Sequence, residues 1–292
     1  IEDTDKWGES GVAVVHADGS GVGKRIVSLL DGAQGDEAAQ RLKRFSKALS
    51  DATQAATRHA LQQFSQDGEA TVAARPIVVG GDDVTFVLEA SLGLPFIQSW
   101  LRAFEVETHA RRDDLGGEKM VAGAGLVWVH AHYPFARALD LAEAACGQAK
   151  KSAVAAADGG APTQCVLQLR RVTTALADEA DRPWTWSMSD EGTSVDSLNE
   201  LMSACGGLPR GALRTWLGLH DRGEDERARL HIERVYEVAA GEAKARLQRA
   251  LELCGADPAT WLAAEGSRQP RRATPLRDAL AAMHISSKGG MV

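Results

Sequence analysis

Apolar residues follow two rhythms along this chain, and the rhythm changes between its first and second halves. Val12-Ala13-Val14-Val15 is a continuous small and β-branched run ending at His16-Ala17-Asp18, which reads as a buried strand opening into a turn at Gly19-Ser20-Gly21-Val22-Gly23. Lys24 to Leu30 then reads as helix. After a polar break at 31–36, apolar positions recur at Leu42, Phe45, Leu49, Ala52, Ala56, Ala60 and Phe64, one face of a long amphipathic helix. Two β-rich runs, 75–79 and 84–88, flank Gly80-Gly81-Asp82-Asp83 and predict a hairpin. The spacing then predicts a helix from about Pro95 to Arg111, a strand over 120–129, a helix over 135–155 and a strand over 165–169.

The order β-α-β-β-α-β, with a further helix and strand, is that of an α/β (α+β) fold built on a split βαβ, ferredoxin-like sheet. In that arrangement the first strand and both hairpin strands are expected side by side in mid-sheet. Residues 1–177 form this α/β domain. A stretch over 178–195, with Pro183, two tryptophans and many Ser, Asp, Glu and Gly residues, reads as a linker or an ordered excursion. From 196 to 292 the pattern is all-helical, with helices at 195–204, 210–221, 223–254 and 274–285. Trp216 and Trp261 fall among its Leu/Ala stripes as core residues.

Composition narrows the function classes. With 44% hydrophobic and 25% charged residues, the chain suits a soluble globular protein, and no apolar run approaches the roughly 20 residues of a membrane span. A net charge of −7 argues against a broad nucleic-acid surface. The basic clusters at Arg41-Leu42-Lys43-Arg44 and 268–277 read as solvated faces. Cys146, Cys165, Cys205 and Cys254 are scattered without a C-x-x-C pair, so they read as small buried hydrophobes in a reducing, cytoplasmic compartment. The N-terminus shows no signal pattern, and a start at Ile1 reads as a piece of a longer chain.

Candidate chemistry sits at two strand ends. Asp18 closes the first strand, and Asp82 and Asp83 lie at the hairpin tip. A split βαβ sheet brings these ends together, and three clustered carboxylates repel one another unless cations sit among them. Hard oxygen donors of this kind suit two Mg²⁺ or Mn²⁺ ions shared with substrate phosphates. Gly80 and Gly81 permit the tight turn and a close approach of a nucleotide. Each piece has a plainer reading: Gly-Gly-Asp-Asp is a common turn composition, and Asp18 suits a helix cap. The stretch Asp18-Gly19-Ser20-Gly21-Val22-Gly23-Lys24-Arg25 is not a Walker A loop, because Asp18 and Arg25 replace the required Gly and Ser/Thr. The dinucleotide fingerprint fails too. What survives is a set of backbone N–H groups at a helix N-terminus, suited to triphosphate oxygens. His130-Ala131-His132 reads as a strand end, not a metal site.

These residues resemble a known family. Ala17-Asp18-Gly19-Ser20-Gly21, Val79-Gly80-Gly81-Asp82-Asp83, His132 to Ala138, and Ala142 to Lys151 are similar to the second palm domain of Cas10/Cmr2-type proteins, large subunits of type III CRISPR complexes. The likeness covers about residues 10–170, with a looser one in the helical tail. It implies a palm that joins ATP through 3′–5′ linkages into cyclic oligoadenylates with Mg²⁺ or Mn²⁺, in antiviral defence. It further implies Asp18, Asp82 and Asp83 as metal ligands and catalytic residues, with the Gly19 carbonyl as a further ligand. Gly19, Ser20, Gly21, Gly80 and Gly81 would line the nucleotide, and Lys150 would meet triphosphate oxygens with Lys151 as its neighbour in the same helix. Implied partners are a second palm or a partner subunit, with RNA met only indirectly through a complex and no membrane. Asp83-Val84 departs from the Glu-Phe of diguanylate cyclases and moves the resemblance away from c-di-GMP synthesis. The HD nuclease region, zinc segment and first palm of the usual large subunit are not visible in the sequence. Two alternatives stay open: a quiet palm-fold scaffold or nucleotide sensor, and a diguanylate or mononucleotide cyclase.

Overall fold

The computed structural model describes residues 11–64, 73–157, 161–172, 185–188, 194–254 and 275–289. The first of two compact units holds β1 (Val12–Gly19), α1 (Val22–Leu30), α2 (Gly35–Gln62), β2 (Ala74–Gly80), β3 (Asp83–Glu89), α3 (Ala90–Ala110), β4 (Ala122–Val129), α4 (Phe135–Ala156), β5 (Val166–Arg171) and β6 (Thr185–Ser187). These strands form one sheet in the order β2-β3-β1-β4-β5-β6. Each of the first four strands is antiparallel to its neighbours among them, in the split βαβ order, and β5 joins β4 in parallel.

Burial explains that order. Nearly every residue of β1 and all of β4 are buried, which only a strand covered on both faces can achieve. β2 is different: its residues 75–78 are exposed, and it is the sheet edge rather than a mid-sheet strand. Pro76, which cannot donate a ladder hydrogen bond, is tolerated there beside a register shift.

Alternation along the strands sends neighbouring residues to opposite faces. Ala13 and Leu126 meet α3 at Gly93, while Gly123 and Gly125 face α4. Helices α2 and α3 pack on each other through small residues of α2, including Ala52, Thr53, Ala56 and Thr57. Trp100 stacks on Phe104 and donates its indole N–H to Thr57 Oγ1 at 3.1 Å, so that buried ring has its polar atom satisfied. On the other face, Val12, Val14, Val87 and Val127 pack with Ala138 and Ala142 of α4.

Several boundaries differ from expectation. Helix α3 begins at Ala90 rather than near Pro95, because the Glu89 side chain accepts from Ser91 N–H at 2.9 Å and caps it. Thr185–Ser187, inside the expected linker, forms β6 against β5, and the Gln168 amide reaches Thr185 Oγ1 at 2.7 Å.

The second unit contains α5 (Val195–Gly206), α6 (Arg210–Asp221), α7 (Asp225–Val238), α8 (Gly241–Leu253) and nearly all of α9 (Pro275–Gly289). The single helix expected over 223–254 is two, parted where Ala239 is extended and Gly241 adopts φ 55°. Trp216 is buried among core leucines, as its spacing suggested, whereas Trp261 lies outside the described residues. Among the described residues, no helix is long and apolar enough to cross a membrane.

The tightest helix–sheet contact is testable. A Cβ at Gly125 would collide with the Ala142 carbonyl and lie 2.8 Å from Cys146 N, both backbone atoms of α4. Gly125→Ala should therefore lower unfolding stability by about 1–3 kcal/mol, the usual cost of overpacking, as read by denaturant titration.

Candidate active site

Backbone register assembles the site before any side chain contributes. Asp18, near the end of β1, is the direct partner of Asp83 on β3 and of Gly123 on β4. The hairpin between β2 and β3 closes through Gly81 and Asp82 alone, since Gly80 pairs with Asp83. Gly81 sits at φ 62°, which few other residues would tolerate. Its carbonyl accepts from Thr53 Oγ1 at 2.6 Å, so α2 steadies the turn. The Gly19 N–H donates to the Asp82 carbonyl at 3.1 Å and Ser20 N–H to the Val121 carbonyl at 2.8 Å, locking the end of β1 to both neighbours.

Two glycines make room for the charged groups. A Cβ on Gly19 would lie 2.7 Å from Asp82 Cβ and 2.9 Å from its Oδ2, so the Asp82 side chain rests directly on Gly19. A Cβ on Gly123 would strike the Lys150 stem. Lys150 crosses that gap from α4, and its Nζ donates to Asp18 Oδ2 at 2.5 Å and to the Gly19 carbonyl at 2.8 Å.

Electrostatics here are strained in one direction. Partial burial, then the neighbouring Asp18 charge, raises the Asp82 carboxyl to about 6. Asp83 is also raised, mainly by burial; His16 opposes the shift, while Asp18 and Glu143 add to it. Asp83 Oδ1 is buried and accepts no hydrogen bond; His16 Nδ1 lies 3.4 Å away and also meets Thr85 Oγ1 at 3.1 Å.

Of the expected site residues, Asp18, Gly19, Asp82, Asp83 and Lys150 come together. Ser20 is half-buried and contributes its N–H, while Gly21 is the exposed N-cap of α1 at φ 77°. Gly80 and Gly81 shape the turn, and Lys151 is exposed. Among the described residues no three His, Cys, Asp or Glu side chains converge as a metal-ligand group, and the Lys150 ammonium bridges the Asp18 carboxylate and the Gly19 carbonyl. The donor set still fits a hard divalent cation: all its members are oxygens, one carboxylate oxygen has no hydrogen bond, and the carboxyls of Asp82 and Asp83 are raised by burial and by the neighbouring Asp18 charge, a destabilisation of the anions that a cation would relieve.

Sequence reasoning missed His16, Gly123 and Glu143. His16 lies two residues before Asp18 on the same strand face, and Glu143 lies two helical turns before Lys150, so period alone could have found both. Gly123 had no local signal.

Residues 11–155 match the family model of the Cas10/Cmr2 second palm domain, and this stretch of the chain belongs to that family. No curated protein matches the chain. Among solved structures it is similar to a Csm1–Csm4 cassette in complex with cA4, at 12% identity and TM-score 0.55, covering 94% of this chain and 36% of that one. It is also similar to a Csm1–Csm4 cassette in complex with pppApA, at 14% identity and TM-score 0.50, covering 98% of this chain and 38% of that one. The chain thus spans a little over a third of the length of those chains, and at such identity the likeness is one of fold.

The Asp82 shift sets a pH test. A carboxyl raised in the folded state favours folding below its unfolded pKa, and that contribution is lost as pH rises through about 6. In metal-free protein, Asp82→Asn should thus melt about 2–4 °C above the parent at pH 7. The difference should close at pH 4, in calorimetry across that range.

Proposed function

We propose that this chain is the catalytic palm of a metal-dependent nucleotidyltransferase that joins ATP through 3′–5′ linkages into a cyclic oligoadenylate, acting in the cytoplasm within a type III CRISPR-like defence complex. The observation that carries the reading is the meeting of Asp18, Asp82, Asp83 and Lys150 at the glycine-lined ends of β1 and the β2–β3 hairpin. Membership of residues 11–155 in the Cas10/Cmr2 palm family supports it. So does the likeness to cassettes solved with cA4 and pppApA, which suggests adenylate as the substrate class.

In the reaction, a ribose 3′-oxygen forms a bond to an α-phosphorus, the α–β bridge breaks, and pyrophosphate leaves with its electron pair. Two divalent ions held by Asp18, Asp82, Asp83 and the Gly19 carbonyl would supply Lewis-acid stabilisation of the attacking and leaving oxygens. The chain itself supplies orientation and charge. Lys150 neutralises Asp18 in the absence of substrate, and its flexible stem over Gly123 lets the same ammonium turn to a triphosphate oxygen. The first intrahelical bond of α1 runs from Arg25 N–H to the Gly21 carbonyl, so the N–H groups preceding it face outward as anion donors. The chemistry needs no covalent enzyme intermediate, because positioning and electrostatics account for phosphoryl transfer of this kind.

One observation favours a second reading. Lys150 already satisfies Asp18, as it would in a nucleotide-sensing palm without turnover. Incubating the protein with each labelled NTP and Mn²⁺ or Mg²⁺ separates the two. Pyrophosphate release with a cyclic adenylate product is expected, and release with no NTP, alone or with candidate activators, overturns the enzyme reading. Asp82→Ala with Asp83→Ala should abolish product, and Lys150→Ala should lower turnover about 100-fold. A cyclic guanylate product would select the diguanylate alternative instead.

A further inference from the structure

Helix α1 follows the site loop directly, yet none of its nine residues is buried and Val27 is 73% exposed. Apolar packing therefore does little to fix its direction. What fixes it is polar. The Arg25 guanidinium donates through Nη1 to the carbonyls of Leu115 and Glu118, each at 3.0 Å, and through Nη2 to the carbonyl of Lys119 at 2.7 Å. The α3–β4 loop that it grips leads into Val121, whose carbonyl takes the Ser20 N–H. At the far end of α1, Arg41 Nη1 donates to the Leu29 carbonyl at 3.1 Å.

We infer that Arg25 is a positioning residue: it closes a ring from Gly19 through α1 and the α3–β4 loop back to Ser20, and so aims the Gly19 carbonyl at the cation position now held by Lys150. Arg25 touches no reacting atom and acts through the loop. The residue that spoils the Walker A pattern thus has a different task. Its need for arginine is geometric. Three carbonyls spread over five residues are met by a planar fork, whereas a lysine ammonium on a single point cannot reach all of them. The inference rests on the nucleotidyltransferase reading for the identity of the cation, and on hydrogen bonds alone for the clamp.

The test compares Arg25→Ala, Arg25→Lys and Arg41→Ala in the full chain by hydrogen-exchange mass spectrometry and by Mn²⁺ titration monitored by electron paramagnetic resonance. Both Arg25 variants should exchange faster over 19–26 and 115–121, with β4 and α4 unchanged. Both should bind Mn²⁺ about 10-fold more weakly, the usual cost of losing a group that orients a ligand. Arg41→Ala should loosen only the end of α1 and leave Mn²⁺ affinity intact. Parental exchange in Arg25→Ala, or full rescue by lysine, overturns the clamp. Loosened exchange with unchanged Mn²⁺ affinity overturns its link to the site. Failure of the parent protein to bind Mn²⁺ sinks the metal reading of the site and the cation half of this inference, while exchange still decides the clamp.

Discussion

The Lys150 ammonium, held between the Asp18 carboxylate and the Gly19 carbonyl, is the contact on which the site depends. Sheet register forces Asp18 and Asp83 opposite each other, and a two-residue turn leaves Asp82 no room to retreat. Partial burial raises the proton affinity of both Asp82 and Asp83, and the Asp18 charge adds to each. A cation relieves this, and a lysine on a long stem is one that can also leave. The repulsion is therefore a stored preference for positive charge at one end of the sheet. It links an electrostatic strain in the folded chain to the phosphate chemistry proposed for it.

That arrangement needs space as much as charge. Gly19 lets Asp82 lie flat on the end of β1, Gly123 lets the Lys150 stem cross β4, and Gly125 lets the α4 backbone settle on the sheet. The three belong to one design: β4 carries no side chain at positions 123 and 125 on the face where α4 must approach. A helix seated a methyl group higher would hold Lys150 away from Asp18. Packing that serves stability at Gly125 thus serves geometry at Gly123. The same helix buries Ala138, Ala142, Ala145 and Ala149 around this contact, and small residues are what such a close approach requires.

Much of this was legible in the chain, and the legible parts share a cause. Strand β1 and the hairpin announce themselves because continuous apolar runs and Gly-Asp turns are local properties. The placement of Asp18, Asp82 and Asp83 at strand ends follows from those boundaries. Errors arose where a non-local partner decided the outcome. Thr185–Ser187 becomes a strand only because β5 offers an edge. Residues 223–254 break at Gly241 although alanines there favour helix. Strand β2 has the composition of an interior strand yet stands at the edge, since four other strands fill the middle.

Sequence alone determined the element order as far as β5, the family likeness and which residue types carry the chemistry, because periodicity, turn composition and motif spacing are written in neighbouring positions. Only the tertiary structure decided that Lys150 pairs with Asp18 across 132 residues and that Gly123 is the gap it crosses. The same holds for Arg25, which grips the α3–β4 loop where a phosphate-loop lysine motif would have needed a hydroxyl neighbour. Such pairings depend on which strands become neighbours and at what register. Those are set by the burial of the whole sheet, a quantity no local window contains.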